Sequence, residues 1–219
     1  SFGVVARVRR ILEVKKAGHA GTLDPLATGL MVIGAGPGTK ALTSLVKLDK
    51  EYIAEILIGQ RRSTGDMEGE VLEEMEVSTM IPLDTIAASL QTLLGEIMLP
   101  VSAYSAIKVD GVPMYKRARA AEKKGELADG VPERAMRVDE AEIVVNDSII
   151  YDSKQFQLVT VRFAVGSGTY IRSLAEELGR RLGYPATLFN LRRTKVGEFR
   201  IEDAVTLESL AAQHGKELF

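Results

Sequence analysis

The sequence contains no cysteine, no tryptophan and only two histidines among its 219 residues. Without cysteine the chain forms no disulfide, no thiolate nucleophile and no cysteine-ligated zinc site. Two histidines leave too few soft ligands for a transition-metal centre. We therefore expect an active site that uses no metal and no other cofactor.

Long hydrophobic runs are also missing. No stretch of about 18 apolar residues occurs, so the sequence predicts no membrane-spanning helix. The residues that begin with Ser1 do not have the pattern of a signal peptide. We expect a protein that is not secreted, has no membrane partner and works in a bacterial cytoplasm or an organelle. A hydrophobic content of 46% fits a folded chain, and 219 residues suffice for one domain with a substantial core.

The net charge of −2 argues, by itself, against a nucleic-acid-binding protein. The charge is segregated, however: residues 1–40 carry +4, residues 66–100 carry −8, residues 108–137 carry +3 and residues 162–200 carry +5. If the acidic block folds to one side, the basic blocks can face phosphates together. An ordinary solvated surface explains the same segregation.

Periodicity predicts helices and strands in an order that favours an α+β fold. Few strand-helix-strand alternations occur, which argues for a mixed sheet over a doubly wound parallel sheet. The expected helices are 2–16, 39–48, 83–94, 113–124 and 169–182. The expected strands are 30–35, 51–58, 103–109, 141–145, 155–165 and 186–199, with an exposed loop at 125–134.

Residues 18–29, Gly-His-Ala-Gly-Thr-Leu-Asp-Pro-Leu-Ala-Thr-Gly, carry Asp24 in a glycine-rich loop. The proline that follows keeps Asp24 out of a helix, and glycines let a bulky ligand approach the backbone. His19 places a polar ring at the rim of this loop. An isolated Asp-Pro would indicate only a turn. The whole twelve-residue run resembles the signature of the TruB family of pseudouridine synthases.

The resemblance covers residues 1–207 and rests on further segments. They are Lys50-Glu51-Tyr52, the loop 61–69, the run 100–111 with Tyr115 and Arg119, the run 166–174 with its Gly-Thr-Tyr-Ile-Arg motif, and Leu191-Arg192-Arg193. The chain departs from the family pattern at Ser63, where an Asp is usual, and at Gly166-Ser167, where Ser-Lys is frequent.

The resemblance implies a pseudouridine synthase fold, a mixed and mostly antiparallel sheet with flanking helices. It implies that Asp24 is the catalytic carboxylate, that Tyr52 stacks on the target base and that Arg172 contacts Asp24. It also implies a set of substrate-binding residues: His19, Lys40, Asp66, Tyr104, Lys108, Tyr170 and Leu191. Among these, His19 fills the space that a flipped nucleotide vacates, and Leu191 belongs to the apolar wall of the pocket.

The substrate that the resemblance implies is the uridine at position 55 in the T arm of tRNA. It implies one domain over residues 1–219 that acts as a monomer, with an RNA-gripping insertion at about 105–137. Of the motif that leads into the first helix in this family only Ser1 remains, and residues after 207 leave no room for a PUA domain. We therefore expect a missing first segment and no PUA domain.

Other functions remain open at this point. One is a subunit of a guide-RNA-dependent synthase that acts on ribosomal RNA, although such subunits rely on a PUA domain. Another is a non-catalytic tRNA-binding or folding module, and a third is a hydrolase that uses His19 and Asp24. The glycine-rich run 34–40 imitates a phosphate-binding loop, but Thr39 precedes Lys40, which is the reverse of the order such a loop needs.

Overall fold

The computed structural model describes residues 1–105, 107–124, 126 and 130–216. The chain divides into two compact units, which we call unit 1 (Ser1–Tyr52 with Arg192–Phe219) and unit 2 (Ile53–Leu191). This division does not test the expectation of a single domain, nor that of an RNA-gripping insertion at about 105–137. Both stay predictions.

The helices and strands follow one another in mixed order, as expected for an α+β fold. The α-helices are α1 (Phe2–Ile11), α2 (Leu42–Leu45), α3 (Leu83–Gln91), α4 (Met114–Glu122), α5 (Ile171–Leu182) and α6 (Leu207–Gln213), with 3-10 helices at Gly36–Ala41 and Ile201–Asp203. The strands are β1 (Ala17–His19), β2 (Thr28–Gly29), β3 (Ile33–Ala35), β4 (Lys50–Ile58), β5 (Gln60–Arg62), β6 (Val71–Glu74), β7 (Gly95–Pro100), β8 (Lys108–Val109), β9 (Val112–Pro113), β10 (Glu133–Tyr151), β11 (Lys154–Val165), β12 (Ala186–Val196) and β13 (Phe199–Arg200).

Unit 1 places a helix beside a short hairpin-like sheet. The apolar positions of α1 recur at helical spacing and bury Val8 and Ile11, and the helix packs against β1 and α6. Strands β1 and β3 pair antiparallel, with His19 opposite Ile33. Strand β2 pairs parallel with the part of β12 that follows residue 191, so that Gly29 lies opposite Arg193.

Unit 2 is built on a sheet with the strand order β12-β4-β11-β10-β7. Strands β10 and β11 form a long antiparallel hairpin, and β7 pairs antiparallel with the start of β10. Alternate residues of β11 from Gln157 to Val165, among them Val161, Phe163 and Val165, are buried, as the period of two in the sequence predicts. Helix α5 packs against β7 and α3. The expected α+β class with a mixed sheet is confirmed.

Several predicted elements have different limits. The expected helix 39–48 is divided between a 3-10 helix and α2, because Gly36, Pro37 and Gly38 are poor formers of an α-helix and Thr39 Oγ1 donates to Gly36 O at 2.8 Å. The helix expected at 83–94 ends at Gln91, and the following turn leads to β7. Gly95, with φ +88°, therefore begins a strand and does not cap the helix.

The region after residue 100 also differs from the expectation. A strand at 103–109 was expected, but of the residues described only Lys108 and Val109 are extended, and position 106 lies outside the described residues. The Asp110-Gly111 turn is confirmed, with φ values of +52° and +78° that suit a two-residue hairpin. The prediction of a loop at 125–134 is wrong for its last two residues, because Glu133 and Arg134 belong to β10 and pair with β7. Residues 125 and 127–129 lie outside the described residues.

Candidate active site

The loop that carries Asp24 joins β1 to β2 in unit 1 and is fixed on both sides of the carboxylate. Ala27 N donates to Asp24 O at 3.0 Å, which closes a turn with Pro25 in its second position. Before Asp24, Ser1 Oγ accepts from Leu23 N at 2.9 Å and donates to Leu23 O at 3.2 Å. The Asp24 side chain is half-buried, so it is held in place and still accessible.

A buried arginine braces this loop from the inside. Arg193 is 1% exposed, and its Nε donates to Leu30 O at 2.8 Å. Its two terminal nitrogens donate to Thr22 O at 3.4 Å and Gly21 O at 3.3 Å. One guanidinium thus binds carbonyls on both sides of Asp24, and its planar fork of donors suits this arrangement.

Gly29 allows the loop to lie directly against β12. Its φ of +101° is in the region that favours glycine, and a Cβ atom there would lie 2.2 Å from Arg193 O. The same backbone contact lets Leu30 N donate to Arg193 O at 2.8 Å. The glycine at this end of the motif is therefore required by the close approach of two backbones.

Tyr52 lies in the same unit and is 9% exposed. Burial raises the pKa of its phenol, the Arg193 charge and a hydrogen bond to Arg193 oppose that rise, and the nearby Asp24 carboxylate adds to it. Tyr52 is therefore a neutral phenol at ordinary pH, within electrostatic reach of both Asp24 and Arg193.

Lys50 supplies a second buried cation behind the loop. It is 8% exposed, and its Nζ donates to Val46 O at 2.6 Å and to Leu48 O. Burial, and then the neighbouring Arg193 charge, lower the pKa of this ammonium. A Cβ at Gly21 would lie 3.5 Å from Arg193 Nη1 and 4.0 Å from Lys50 Cε, so both cations pack against the loop that carries Asp24.

The other predicted residues of unit 1 are less enclosed. His19 is half-buried at the end of β1, and within the described part of the chain its Nδ1 has no hydrogen-bond partner. Lys40 is exposed on the 3-10 helix after β3.

In unit 2, Arg172 and Asp66 form a buried ion pair. The side chains are 6% and 2% exposed, with Nη1 of Arg172 at 3.5 Å from Asp66 Oδ2 and donating to Thr64 O at 3.0 Å. Asp66 Oδ1 in turn accepts from Thr64 Oγ1 at 2.5 Å and from Glu68 N at 3.1 Å. A guanidinium held in this way has a fixed orientation.

Glu176 lies one helical turn after Arg172 on α5. Burial raises the pKa of its carboxyl, the Arg61 and Arg172 charges oppose that rise, and Asp66 adds to it. A Cβ at Gly65 would lie 3.4 Å from Arg172 Cβ and 3.5 Å from Glu176 Oε1, so this loop packs closely on the helix.

The remaining predicted residues of unit 2 lie on separate elements: the N-terminus of α5, strand β12, the segment before α4 and strand β8. Tyr170 is the half-buried N-cap residue of α5, and Leu191 is buried. Tyr104 is half-buried, and burial together with a hydrogen bond to Glu122 raises the pKa of its phenol. Lys108 is exposed on β8.

The structure brings Asp24, Tyr52 and Arg193 together in unit 1, and Asp66 and Arg172 together in unit 2. The contact of Asp24 with Arg172 stays a prediction. The sequence reasoning missed Arg193 and Lys50 as parts of the site. A signal existed for both, because each occupies a buried position in the alternation of its strand.

Within the ranges 1–105, 107–124, 126 and 130–216, no group of three or more His, Asp or Glu side chains is placed to hold a metal ion. None of the helices in this part of the chain is long and apolar enough to cross a membrane.

Comparison with protein families gives two matches that follow each other along the chain. Residues 9–171 match the TruB family pseudouridylate synthase N-terminal domain. The chain belongs to the TruB family. Residues 172–217 match the tRNA pseudouridylate synthase B C-terminal domain, so the family assignment extends over nearly all of the sequence.

Curated relatives agree with this assignment. The chain is 43% identical over 217 residues to tRNA pseudouridine synthase B of Leifsonia xyli subsp. xyli, covering 97% of this chain and 69% of that protein. It is 40% identical over 220 residues to tRNA pseudouridine synthase B of Desulfotalea psychrophila, covering 100% of this chain and 86% of that protein.

Solved structures agree in fold. An archaeal box H/ACA sRNP Nop10-Cbf5 complex contains a chain with a TM-score of 0.66 and 28% identity, covering 97% of this chain. The chain spans about half the length of that protein, 49% of which is covered.

Proposed function

We propose that this TruB-family chain isomerises uridine to pseudouridine in tRNA, at position 55 in the T loop, with Asp24 as the catalytic carboxylate. Family membership and relatives named tRNA pseudouridine synthase B support the reaction. The observation that carries the role of Asp24 is its half-buried carboxylate, fixed in an Asp-Pro turn beside a neutral Tyr52 and a buried Arg193.

The reaction breaks the C1′–N1 glycosidic bond, turns the uracil and joins its C5 to C1′. The proton on C5 is removed and N1 gains a proton, so the isomerisation is redox-neutral. The target nucleotide must first leave its stack, at a cost of a few kcal/mol. Asp24 then serves as a nucleophile or as the anion that stabilises the separated sugar, and both roles require it to be ionised.

The neighbouring side chains fit supporting roles. A neutral Tyr52 offers a ring on which uracil can stack without adding a second negative charge beside Asp24. Thr64 and Asp66 orient the Arg172 guanidinium, and we propose that its fixed positive charge favours the ionised form of the catalytic carboxylate. His19 lies half-buried at the end of β1, where its ring can fill the space that the flipped nucleotide vacates.

We further propose that the enzyme acts on the T arm as a monomer without metal. Because the relatives named above are bacterial, we place it in the cytoplasm.

The decisive experiment is tritium release from 5-³H-uridine in a T-arm stem-loop RNA. Asp24→Asn keeps the shape of the side chain but removes the anionic oxygen, so we expect release to become undetectable. RNA affinity should stay within a few-fold, since phosphate contacts elsewhere supply most of it.

Two controls give this experiment its meaning. Asp139→Asn changes an exposed carboxylate on β10 and should leave release at the wild-type rate. Release at the wild-type rate from Asp24→Asn would contradict the mechanism. A wild-type protein that is inactive on the isolated stem-loop but active with added guide RNA and ribosomal substrate would favour the guide-RNA-dependent function.

A further inference from the structure

Helix α1 of unit 1 exposes cations that make no ion pair among the residues described. Arg7, Arg9 and Arg10 are exposed, and the helix itself contains no acidic residue. The one carboxylate in residues 1–23 is Glu13, and it is bound to Lys216. Among the described residues, none of these three guanidinium groups has a carboxylate partner, and all three face solvent.

This arrangement is unfavourable for the helix alone. Arg7 and Arg10 are three residues apart on the helix, where side chains of like charge repel each other. The helix dipole favours cations in the last turn and so accounts for Arg9 and Arg10 in part, but Arg7 lies before that turn. Local arrangements that cost stability are expected where a surface has a binding function.

The position of α1 indicates what binds there. Ser1 at the start of the helix is hydrogen-bonded to Leu23, the neighbour of Asp24, so α1 begins at the proposed catalytic loop. With a rise of about 1.5 Å per residue, Arg7 and Arg10 lie about 9 and 14 Å further along the axis. Phosphates follow one another about every 3.4 Å along one strand of a double helix, so a stem whose nucleotide is bound at Asp24 has phosphates within about 9–14 Å of it.

We propose that Arg7, Arg9 and Arg10 of α1 form a phosphate-binding surface for the tRNA stem beside the target nucleotide. The surface lies in unit 1 and is separate from the basic segment 108–124 of unit 2. Guanidinium groups bind phosphate in a forked, charge-assisted geometry, which suits a row of closely spaced phosphates. This inference rests on the proposed function, because the ligand is the substrate RNA.

The test measures the affinity for a T-arm stem-loop over a series of salt concentrations, with Asp24→Asn as the background to prevent turnover. The triple variant Arg7→Gln, Arg9→Gln, Arg10→Gln keeps good helix formers at all three positions. Each lost phosphate contact removes about 0.7–0.9 from the slope of log K against log salt, so we expect a slope shallower by about 2–3. Affinity at low salt should fall by roughly tenfold or more.

A matched control removes the same net charge from residues that already face carboxylates. Lys154, Arg162 and Arg180 pair with glutamates, and their replacement by Gln should leave the slope unchanged. A second variant, Arg7→Lys, Arg9→Lys, Arg10→Lys, keeps the charges and should retain most of the wild-type slope.

An unchanged slope and affinity in the Gln variant would overturn the proposal and assign α1 to another acidic partner or to plain surface. The same loss in the matched control would also overturn it, since net charge alone would then explain the effect. If wild-type protein released no tritium, the proposed function would fail, while this binding comparison would still report on α1.

Discussion

Arg172 and Arg193 are buried arginines, and each donates hydrogen bonds to backbone carbonyl groups. The Gly-Thr-Tyr-Ile-Arg motif made Arg172 a site candidate, and the structure shows it buried and bound to Asp66. Arg193 belongs to the equally recognisable Leu-Arg-Arg run, but its role was not predicted. Its hydrogen bonds to Gly21, Thr22 and Leu30 join residues more than 160 positions apart in the sequence. Such contacts depend on how strands pair, which local sequence does not specify.

The fixed orientation of Arg172 leads to a prediction about its replacement. Arg172→Lys keeps the charge but loses the planar fork that contacts Thr64 and Asp66, so the cation no longer has a fixed position. Since small misplacements cost about a hundredfold in rate, we expect turnover in the tritium-release assay to fall by about that factor.

Arg180→Lys is the matched control, because Arg180 lies on the same helix with its side chain 71% exposed. It should keep wild-type turnover. If Arg172→Lys retained most of its turnover as well, Arg172 would serve the packing of unit 2 and the proposed contact with Asp24 would be wrong.

Among the elements, amphipathic helices and alternating strands were the most predictable. Helices α3 and α5 and strands β4 and β11 have a clear period and were found within three residues of their expected limits, whereas α1 begins where expected but ends at Ile11, five residues early. Strand β10 was not, since only 141–145 reads as an apolar run while the strand extends from Glu133 to Tyr151. Its first half exposes charged residues and gains its strand conformation from pairing with β7, a partner that sequence periodicity does not reveal.

Helix α4 and its flanks form the basic segment that we expect to grip the RNA stem. Lys116, Lys123 and Lys124 are exposed, whereas Arg117 lies 3.6 Å from Asp110. Replacing these four cations by Ala should weaken binding to the T-arm stem-loop and make its salt slope shallower by about 2–3, because Arg117 is partly engaged already. Ala also favours the helix, so α4 should stay folded.

The salt series should be combined with tritium release at saturating RNA. Turnover of this quadruple variant should fall far less than that of Asp24→Asn, since none of the four residues is assigned to the catalytic step. An unchanged salt slope would mean that these side chains are ordinary solvated surface, and residues 162–200 with their charge of +5 would then be the better candidate for an RNA-binding surface.

For the whole molecule, the sequence predicted the class of fold and the family, but not the electrostatic balance inside unit 2. The neighbours Glu176 and Glu177 are identical in type, and no local pattern distinguishes them. The structure does. Burial raises the pKa of Glu176, whereas hydrogen bonds to Arg180 and Arg181 lower the pKa of Glu177 against a weaker effect of burial. Their contributions to global stability must therefore depend on pH in opposite directions.

The stability of the molecule across pH tests this difference. A carboxyl with a raised pKa stabilises the fold below the ordinary Glu pKa, and that contribution is lost as pH rises through the folded-state pKa. A carboxyl with a lowered pKa stabilises the fold above the ordinary value and loses its contribution as pH falls. Gln replaces either group by a neutral one, so Glu176→Gln should raise the free energy of unfolding at pH 7 relative to wild type.

Glu177→Gln should lower the free energy of unfolding at pH 7, by a modest amount because Arg180 is exposed. The difference at Glu176 should shrink as pH falls through its raised pKa, whereas the difference at Glu177 should begin to shrink only as pH falls below the ordinary Glu value of 4.5. Urea unfolding at pH 4, 5.5 and 7 gives the required free energies. Equal effects of the two variants at pH 7 would show that helix α5 responds only to the loss of charge. A destabilised Glu176→Gln would mean that the contacts of this carboxylate with Arg61 and Arg172 outweigh the cost of burying it.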